Sequence, residues 1–363
     1  MTRLALSLST MLTVALACNA NATEFTRPIV TTIPVHNQNM AIAQEQQTKP
    51  VYLMNIKLTP AQKNKFIQFD PTNKITLNAA SGSEPKRVQL GMNNVPVLDQ
   101  GQHGTCVTFA MTAAVDALLG KGDYVSQLCS LELGSYLEKR SYVPSGWDGS
   151  YGELVLNQLL EFGIVNTKTQ KTKSCSGMTA YPRDEETNVG NPMTLDEYKQ
   201  DSEDLNDHIV HVAMLSDTQR MIWSEKESDA KMDNVLSEVK KSLATKDDNI
   251  SVRVVFGTLL PYRHCSAGAC AKFKEKNDTW ALTSEINSDK NPEFGGHEMV
   301  ITGYDDQSIA QDKDGTKHTG LFTLRNSWGE DAGDKGNFYM TYDFFKKYAL
   351  EANAVEYVKN LQD

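Results

Sequence analysis

Apolar and polar positions divide the chain into stretches of different character. An apolar-rich run from Leu4 to Ala17 comes first, followed by a polar, Gln-rich stretch that reads as a linker. Structure is expected to start at Val51, where Val51, Leu53, Asn55 and Lys57 alternate imperfectly with Tyr52, Met54, Ile56 and Leu58, as in a strand buried on one face and partly on the other. Thr59-Pro60-Ala61-Gln62 reads as a capping box with proline at the first helical position, so a short helix through about Gln68 is predicted. Lys74 to Leu77 is the expected partner strand, and the small, polar residues Asn78 to Pro85 form an exposed stretch of the kind proteases nick. Cys106 to Leu119 is apolar on nearly every side and predicts a buried helix closed by Gly120. Helical spacing recurs at Ser130–Lys139, Glu153–Phe162 and Met232–Leu243, and strands are predicted at Ser251–Leu259, His297–Tyr304, Leu321–Arg325 and Asn337–Thr341. Helices dominate the first part and strands the second, which gives an α+β class with two lobes. Residues 176 to about 230 are acidic and polar, an elaborated connection without a readable fold. No internal repeat is visible.

Composition narrows the class. A chain of 363 residues with 40% hydrophobic and 23% charged residues is an ordinary globular protein, and its net charge of −10 argues against a nucleic-acid binder. Arg3, the apolar-rich run and Ala20-Asn21-Ala22 have the layout of a secretory signal peptide over 1–22, and no later stretch would cross a membrane. The expected location is therefore extracellular or periplasmic. Residues 23 to 87 carry eight Lys or Arg and four Asp or Glu, whereas the rest of the exported chain carries 27 and 42, so a +4 segment precedes a −15 body. Opposite charge suggests that the segment docks on the body. Of six cysteines, Cys18 leaves with the signal, and an odd number remains. One thiol should be free.

Context selects that thiol. Leu98 to Thr105 is a turn-rich approach with Gly101 and Gly104, and Cys106 then opens the buried helix, where the macrodipole and unsatisfied N–H groups lower a thiol's pKa. His297 follows Gly295-Gly296 and heads a buried strand that would hold its imidazole at a rigid edge. Asn326-Ser327-Trp328-Gly329 ends another strand, with an amide to orient the imidazole and an indole to cover the contact.

These three segments, in this order, resemble the papain family of cysteine peptidases. Asp99 to Cys106 resembles the nucleophile segment, His297 to Tyr304 the histidine segment and Asn326 to Gly329 the asparagine segment, over roughly residues 88 to 348. The resemblance implies a helical lobe at about 100–230, a β-barrel-like lobe at about 231–350, and a cleft between them. Within the peptidase domain, 88–363, it makes Cys106 the nucleophile, His297 its proton partner, Asn326 the orienter and Gln100 the side-chain donor of the oxyanion hole. Gly104, Gly149, Ser150 and Trp328 are then substrate-lining positions. Residues 23–87 become an inhibitory pro-segment, of a different build from the long helical one many members carry. A thiolate–imidazolium pair is expected, with a thiol pKa as low as about 3–4. His103 and Val107 replace a customary cysteine and tryptophan, Ser150 replaces a glycine of the substrate wall, and Ala332 stands where a second tryptophan is common.

Other readings compete at several positions. His103 is a loop residue rather than a second base. Cys265 and Cys270 with His264 lack a second zinc-ligand pair, so a short disulfide is favoured, leaving Cys129 to Cys175 in one of three possible pairings of four cysteines. Asp312 to Gly315 is a hairpin turn rather than a calcium loop, because Ala310 and Leu321 occupy ligand positions. The expected activity is peptide hydrolysis by a monomer, without cofactor or metal, acting on peptides or proteins. A locked or inactive papain-like binding protein is the alternative, as is a thiol amidotransferase, although Thr108 breaks that family's glycine pattern.

Overall fold

The computed structural model describes residues 25–35, 47–71, 84–141, 143–184, 192–205, 211–216 and 229–358. The signal-like residues 1–22, the Gln-rich stretch 36–46 and the strand expected at Lys74–Leu77 lie outside the described residues.

In chain order the strands are β1 (Thr26–Pro34), β2 (Thr48–Asn55), β3 (Arg87–Gln89), β4 (His211–Ser216), β5 (Ile250–Pro261), β6 (Ala271–Lys272), β7 (Thr279–Trp280), β8 (Phe294–Asp312), β9 (Lys317–Arg325), β10 (Asn337–Thr341) and β11 (Ala349–Val358). The helices are α1 (Pro60–Gln68), α2 (Cys106–Leu119), α3 (Gln127–Ser141), α4 (Gly152–Phe162), α5 (Thr167–Lys173), α6 (Leu195–Asp201), α7 (Asp229–Leu243), α8 (Ser284–Ser288) and α9 (Tyr342–Tyr348). No helix among the described residues is long and apolar enough to cross a membrane.

Helices α2 to α6 build one lobe, and the sheet, with α7 to α9, builds the other. Strands run β4-β11-β5-β8-β6-β7-β10-β9, and β9 returns to pair with β8, closing the last five into a barrel-like ring. Strand β8 is the spine. Its start, Phe294 to Ile301, pairs antiparallel with β5, and its far end turns at Asp312–Gly315 into β9, the hairpin expected there. Helix α2 is buried from Cys106 to Leu118 because it is sandwiched between the helical lobe and β5, β8 and β11. Its end is set by Gly120, whose positive φ of 65° lets its N–H cap the Asp116 carbonyl.

Two sequence expectations need correction. Order does not begin at Val51: β1 pairs antiparallel with β2, from Thr26 opposite Asn55 to Pro34 opposite Thr48. The Ile29-Val30-Thr31-Thr32-Ile33 run is β-branched throughout, the composition that suits a strand once a partner is present. The C-terminal β11 was not anticipated, because Ala349-Leu350-Glu351-Ala352-Asn353-Ala354 lacks strand-forming residues; pairing with both β4 and β5 imposes the extended form. Helix α1 has the predicted Thr59–Gln62 capping box.

The β1–β2 hairpin and α1 are held mainly by apolar burial. Ile33, Val51, Leu53 and Phe66 join the core that contains Trp280, Phe294 and Trp328. Each such side chain contributes about 1.5–3 kcal/mol. Charge contributes less than the +4/−15 division suggests. Lys49 meets Asp331 at 2.6 Å and Asp99 at 3.6 Å, but all three side chains are partly exposed, and such pairs contribute about 0–1 kcal/mol. Lys346 and Lys347, on the acidic body, donate to the carbonyls of Pro71 and Phe69 instead.

Candidate active site

Of the four residues predicted from sequence, His297 and Asn326 meet directly, Gln100 reaches the asparagine loop through Ser327, and Cys106 heads α2, which packs on β8. Cys106, the first residue of α2, is a free and fully buried thiol with Sγ 4.0 Å from the Gly104 carbonyl. His297 lies on β8, also fully buried, and its Nε2 is 2.7 Å from Asn326 Oδ1. That oxygen also accepts the Ser327 backbone N–H at 2.7 Å, so it faces two donors and Nε2 carries the ring proton. Nδ1 of the neutral ring is then the basic nitrogen. It is buried and has no hydrogen-bond partner among the described residues.

Trp328 stacks on the imidazole at 4.5 Å with 23° between the planes. Trp280 and Phe338 pack edge-on to the indole at 6.1 and 5.5 Å. Trp280, far from the asparagine segment in sequence, was not singled out beforehand.

Gln100 is fixed at both ends of its amide. Oε1 accepts from Ser327 Oγ at 2.8 Å, and Nε2 donates to the His103 carbonyl at 2.8 Å and to the Tyr52 carbonyl of β2 at 3.1 Å. Its backbone N–H donates to the Ser327 carbonyl at 2.9 Å, which ties the nucleophile loop to the asparagine loop. Tyr181 braces the same loop, donating to the Gln100 carbonyl at 2.8 Å and meeting Thr105 Oγ1 at 2.9 Å. Sequence reasoning missed it because it lies in the polar connection.

The remaining positions sort themselves. Gly149 faces the cleft, where a Cβ would stand 2.3 Å from the Phe25 ring of the N-terminal segment. Ser150 is buried beside it. Gly104, expected to line substrate, packs against the backbone of Asp148, 2.5 Å from where its Cβ would be. His103 donates from Nε2 to the Pro182 carbonyl and packs edge-on to Trp147, as a loop residue does. Disulfides join Cys129 to Cys175 and Cys265 to Cys270, and His264 meets Glu285 and Asp289.

The surroundings oppose the expected thiolate–imidazolium pair. Burial, with the nearby Glu298 carboxyl second, pushes the Cys106 thiol far up, and burial lowers His297 to about 4. Burial away from water thus favours the neutral form of both groups. The hairpin spans the site: Val35 bridges Ala332, Lys49 meets Asp331, the Tyr52 carbonyl meets Gln100, and Met54 pairs with Gly296.

The family model described as Peptidase C1-like family matches residues 289–359, the segment with His297 and Asn326. Over that segment, strands β8 to β11, the chain is similar to this family. Among solved structures, xylellain, a cysteine protease from Xylella fastidiosa, is 17% identical, covering 77% of this chain and 88% of that one with a TM-score of 0.44. The cysteine protease and lectin-like domains of Cwp84 from Clostridium difficile are 17% identical, covering 76% and 52%, TM-score 0.47. Digestive procathepsin L 3 of Tenebrio molitor larval midgut is 15% identical, covering 76% and 70%, TM-score 0.44. No curated protein matches the sequence.

Proposed function

We propose that the chain is an exported cysteine peptidase made as a zymogen, with residues 23–87 as an inhibitory pro-segment that fills its own cleft. The observation that carries this reading is the Tyr52 carbonyl held 3.1 Å from Gln100 Nε2. A backbone carbonyl occupies the donor that would otherwise receive the carbonyl of a substrate.

With the hairpin gone, water reaches the site and the pair can charge. Cys106 gives its proton to His297 Nδ1, and the thiolate attacks the peptide carbonyl carbon. Gln100 Nε2 and the Cys106 backbone N–H, unpaired at the first turn of α2, donate to the developing oxyanion. The imidazolium protonates the leaving amine, and water then hydrolyses the thioester. Asn326 and Trp328 hold the imidazole in place throughout. Residues 1–22 serve as the export signal, and the two disulfides suit an oxidising compartment, extracellular or periplasmic. Substrates are peptides or proteins, and the working form is a monomer without cofactor.

The test is hydrolysis of fluorogenic peptides by the chain after removal of residues 23–87, with Cys106→Ala as control. Turnover that disappears in the control is expected. Equal turnover in both, or none in either, would overturn the proposal; none in either would favour the locked binding protein.

A further inference from the structure

Helix α2 begins with an anomaly. Thr105 stands at its N-cap, where a threonine hydroxyl ordinarily accepts an N–H of the first turn, yet it makes no such bond. Its Oγ1 lies 2.9 Å from the hydroxyl of Tyr181 instead. That hydroxyl has one proton, which goes to the Gln100 carbonyl at 2.8 Å, so Thr105 is the donor in its own contact and Tyr181 the acceptor. The helix forgoes a cap in order to hold a tyrosine from the polar connection. Helix stability therefore does not explain the arrangement.

The residues that follow Tyr181 grip the same loop. The Pro182 carbonyl accepts from His103 Nε2 at 2.6 Å, and the Arg183 carbonyl accepts the Gln102 N–H at 2.7 Å. The approach is close enough to require glycine on the loop: Gly101 has a φ of 59°, and a Cβ there would stand 2.1 Å from the Arg183 carbonyl oxygen. Tyr181, Pro182 and Arg183 thus reach Gln100, Gln102, His103 and Thr105 between them.

The clamp is itself anchored. The Tyr181 ring stacks on Trp147 at 5.9 Å with 11° between the planes, and packs edge-on to Phe109 of α2 at 4.9 Å. Trp147 is buried and donates from Nε1 to Ser135 Oγ of α3 at 3.1 Å. Shortly before Tyr181 the chain is tied to α3 by the Cys129–Cys175 disulfide. Burial raises the Tyr181 phenol, so the hydroxyl keeps its proton and remains a donor. The Gln100 main chain is consequently gripped from both lobes: its N–H donates to the Ser327 carbonyl of the asparagine loop, and its carbonyl accepts from Tyr181. Both grips fix the point from which the Gln100 side chain extends.

We propose that Tyr181 is a positioning residue for peptide hydrolysis: its hydroxyl fixes the Gln100 main chain from the helical lobe and so sets where the Gln100 amide meets the developing oxyanion. The inference rests on the peptidase reading and deepens it. A donor displaced by a fraction of an ångström still tolerates a resting substrate, but it stabilises the oxyanion less, because the benefit depends on donors aimed in advance at the developing charge. Loss of the Tyr181 hydroxyl therefore lowers kcat and leaves KM nearly unchanged. Attack of the Cys106 thiol on a reagent that forms no oxyanion does not pass through Gln100 and is spared.

Steady-state kinetics on a fluorogenic peptide, with the chain processed from the full-length protein, test this in the wild type, Tyr181→Phe, Gln100→Ala and the double variant. Phenylalanine keeps the ring on Trp147 and Phe109, and turnover is referred to the end point of Cys106 titration by a thiol-trapping peptide epoxide, which counts competent sites. In Tyr181→Phe the expected kcat is lower by about tenfold, less than the loss on removing the donor outright, with KM within about twofold. Alkylation of Cys106 by iodoacetamide, a displacement without an oxyanion, should stay within about twofold of the wild-type rate. In the Gln100→Ala background the same substitution should change kcat by about twofold or less, because the donor it positions is gone. An unchanged kcat in Tyr181→Phe, a kcat loss matched by an equal loss of alkylation rate, or a loss that persists in full without Gln100 overturns the inference and leaves the peptidase reading intact. No turnover in the wild type overturns both.

Discussion

The side-chain amide of Gln100 donates to the backbone carbonyl of Tyr52 across 3.1 Å, while its other contacts, with Ser327 Oγ and the His103 carbonyl, hold it in place. The amide is therefore fixed in place, with the hairpin supplying one of its acceptors. On the proposed function Gln100→Ala removes one oxyanion donor, which in comparable sites costs about 10²–10³ in turnover. Steady-state kinetics on the processed form should show the loss in kcat rather than KM.

The charge state of the site should change when the hairpin leaves. In the intact chain burial pushes the Cys106 thiol far up, so it stays protonated at neutral pH. Alkylation by iodoacetamide at pH 7 should be at least about tenfold faster in the processed form, since each unit of thiol pKa regained is a tenfold gain in thiolate.

His297 makes stability depend on pH with a definite sign. Its folded value is depressed to about 4, against about 6.5 unfolded, so the unfolded chain binds the proton more readily. The stability from this group is complete above pH 6.5 and is lost as the pH falls toward 4, an effect of up to about 3 kcal/mol. Denaturant titrations of the intact chain should therefore decline less between pH 6.5 and 4 in His297→Gln than in the wild type. Raised carboxyls such as Glu298 act in the opposite sense and are common to both proteins.

The two disulfides should differ in weight. Cys129 and Cys175 are separated by 46 residues, Cys265 and Cys270 by 5. Loop-closure entropy gives about 4 kcal/mol for the first and about 2 for the second. Paired Cys→Ser variants compared by denaturant midpoint should rank in that order.

Lys49→Ala should loosen the hairpin only slightly. Its partners are partly exposed, so the change is about 1 kcal/mol or less, roughly fivefold in the open population, and it should vanish at high salt. Ile33→Ala or Leu53→Ala should raise that population far more, because each empties a fully buried position at a cost of about 2–5 kcal/mol. Limited proteolysis of the full chain reads both.

The placement of Cys106 at a helix start, of His297 on a strand and of Asn326 and Gln100 in loops was legible in the sequence because each sits at a local signature, while their catalytic roles belong to the proposed function. Helix α2 and β10 have the predicted bounds for the same reason: their patterns are set by neighbours in sequence. Tyr181 and Trp280 were not legible, since their roles arise from packing between distant segments. The hairpin was half legible. The strand containing Val51 announced itself by alternation, but its partner β1 acquires meaning only from the pairing. The charge division drew attention to the right segment for a minor reason, as apolar contacts hold it.

The central claim is that Cys106 is a nucleophile kept silent by the hairpin that carries Tyr52. Mass spectrometry after treatment with a thiol-trapping peptide epoxide tests it most directly, on the intact chain and on the form lacking residues 23–87. The account predicts an adduct on Cys106 in the processed form and almost none in the intact chain. Labelling elsewhere or nowhere in the processed form, or equal labelling of Cys106 in both forms, would contradict it.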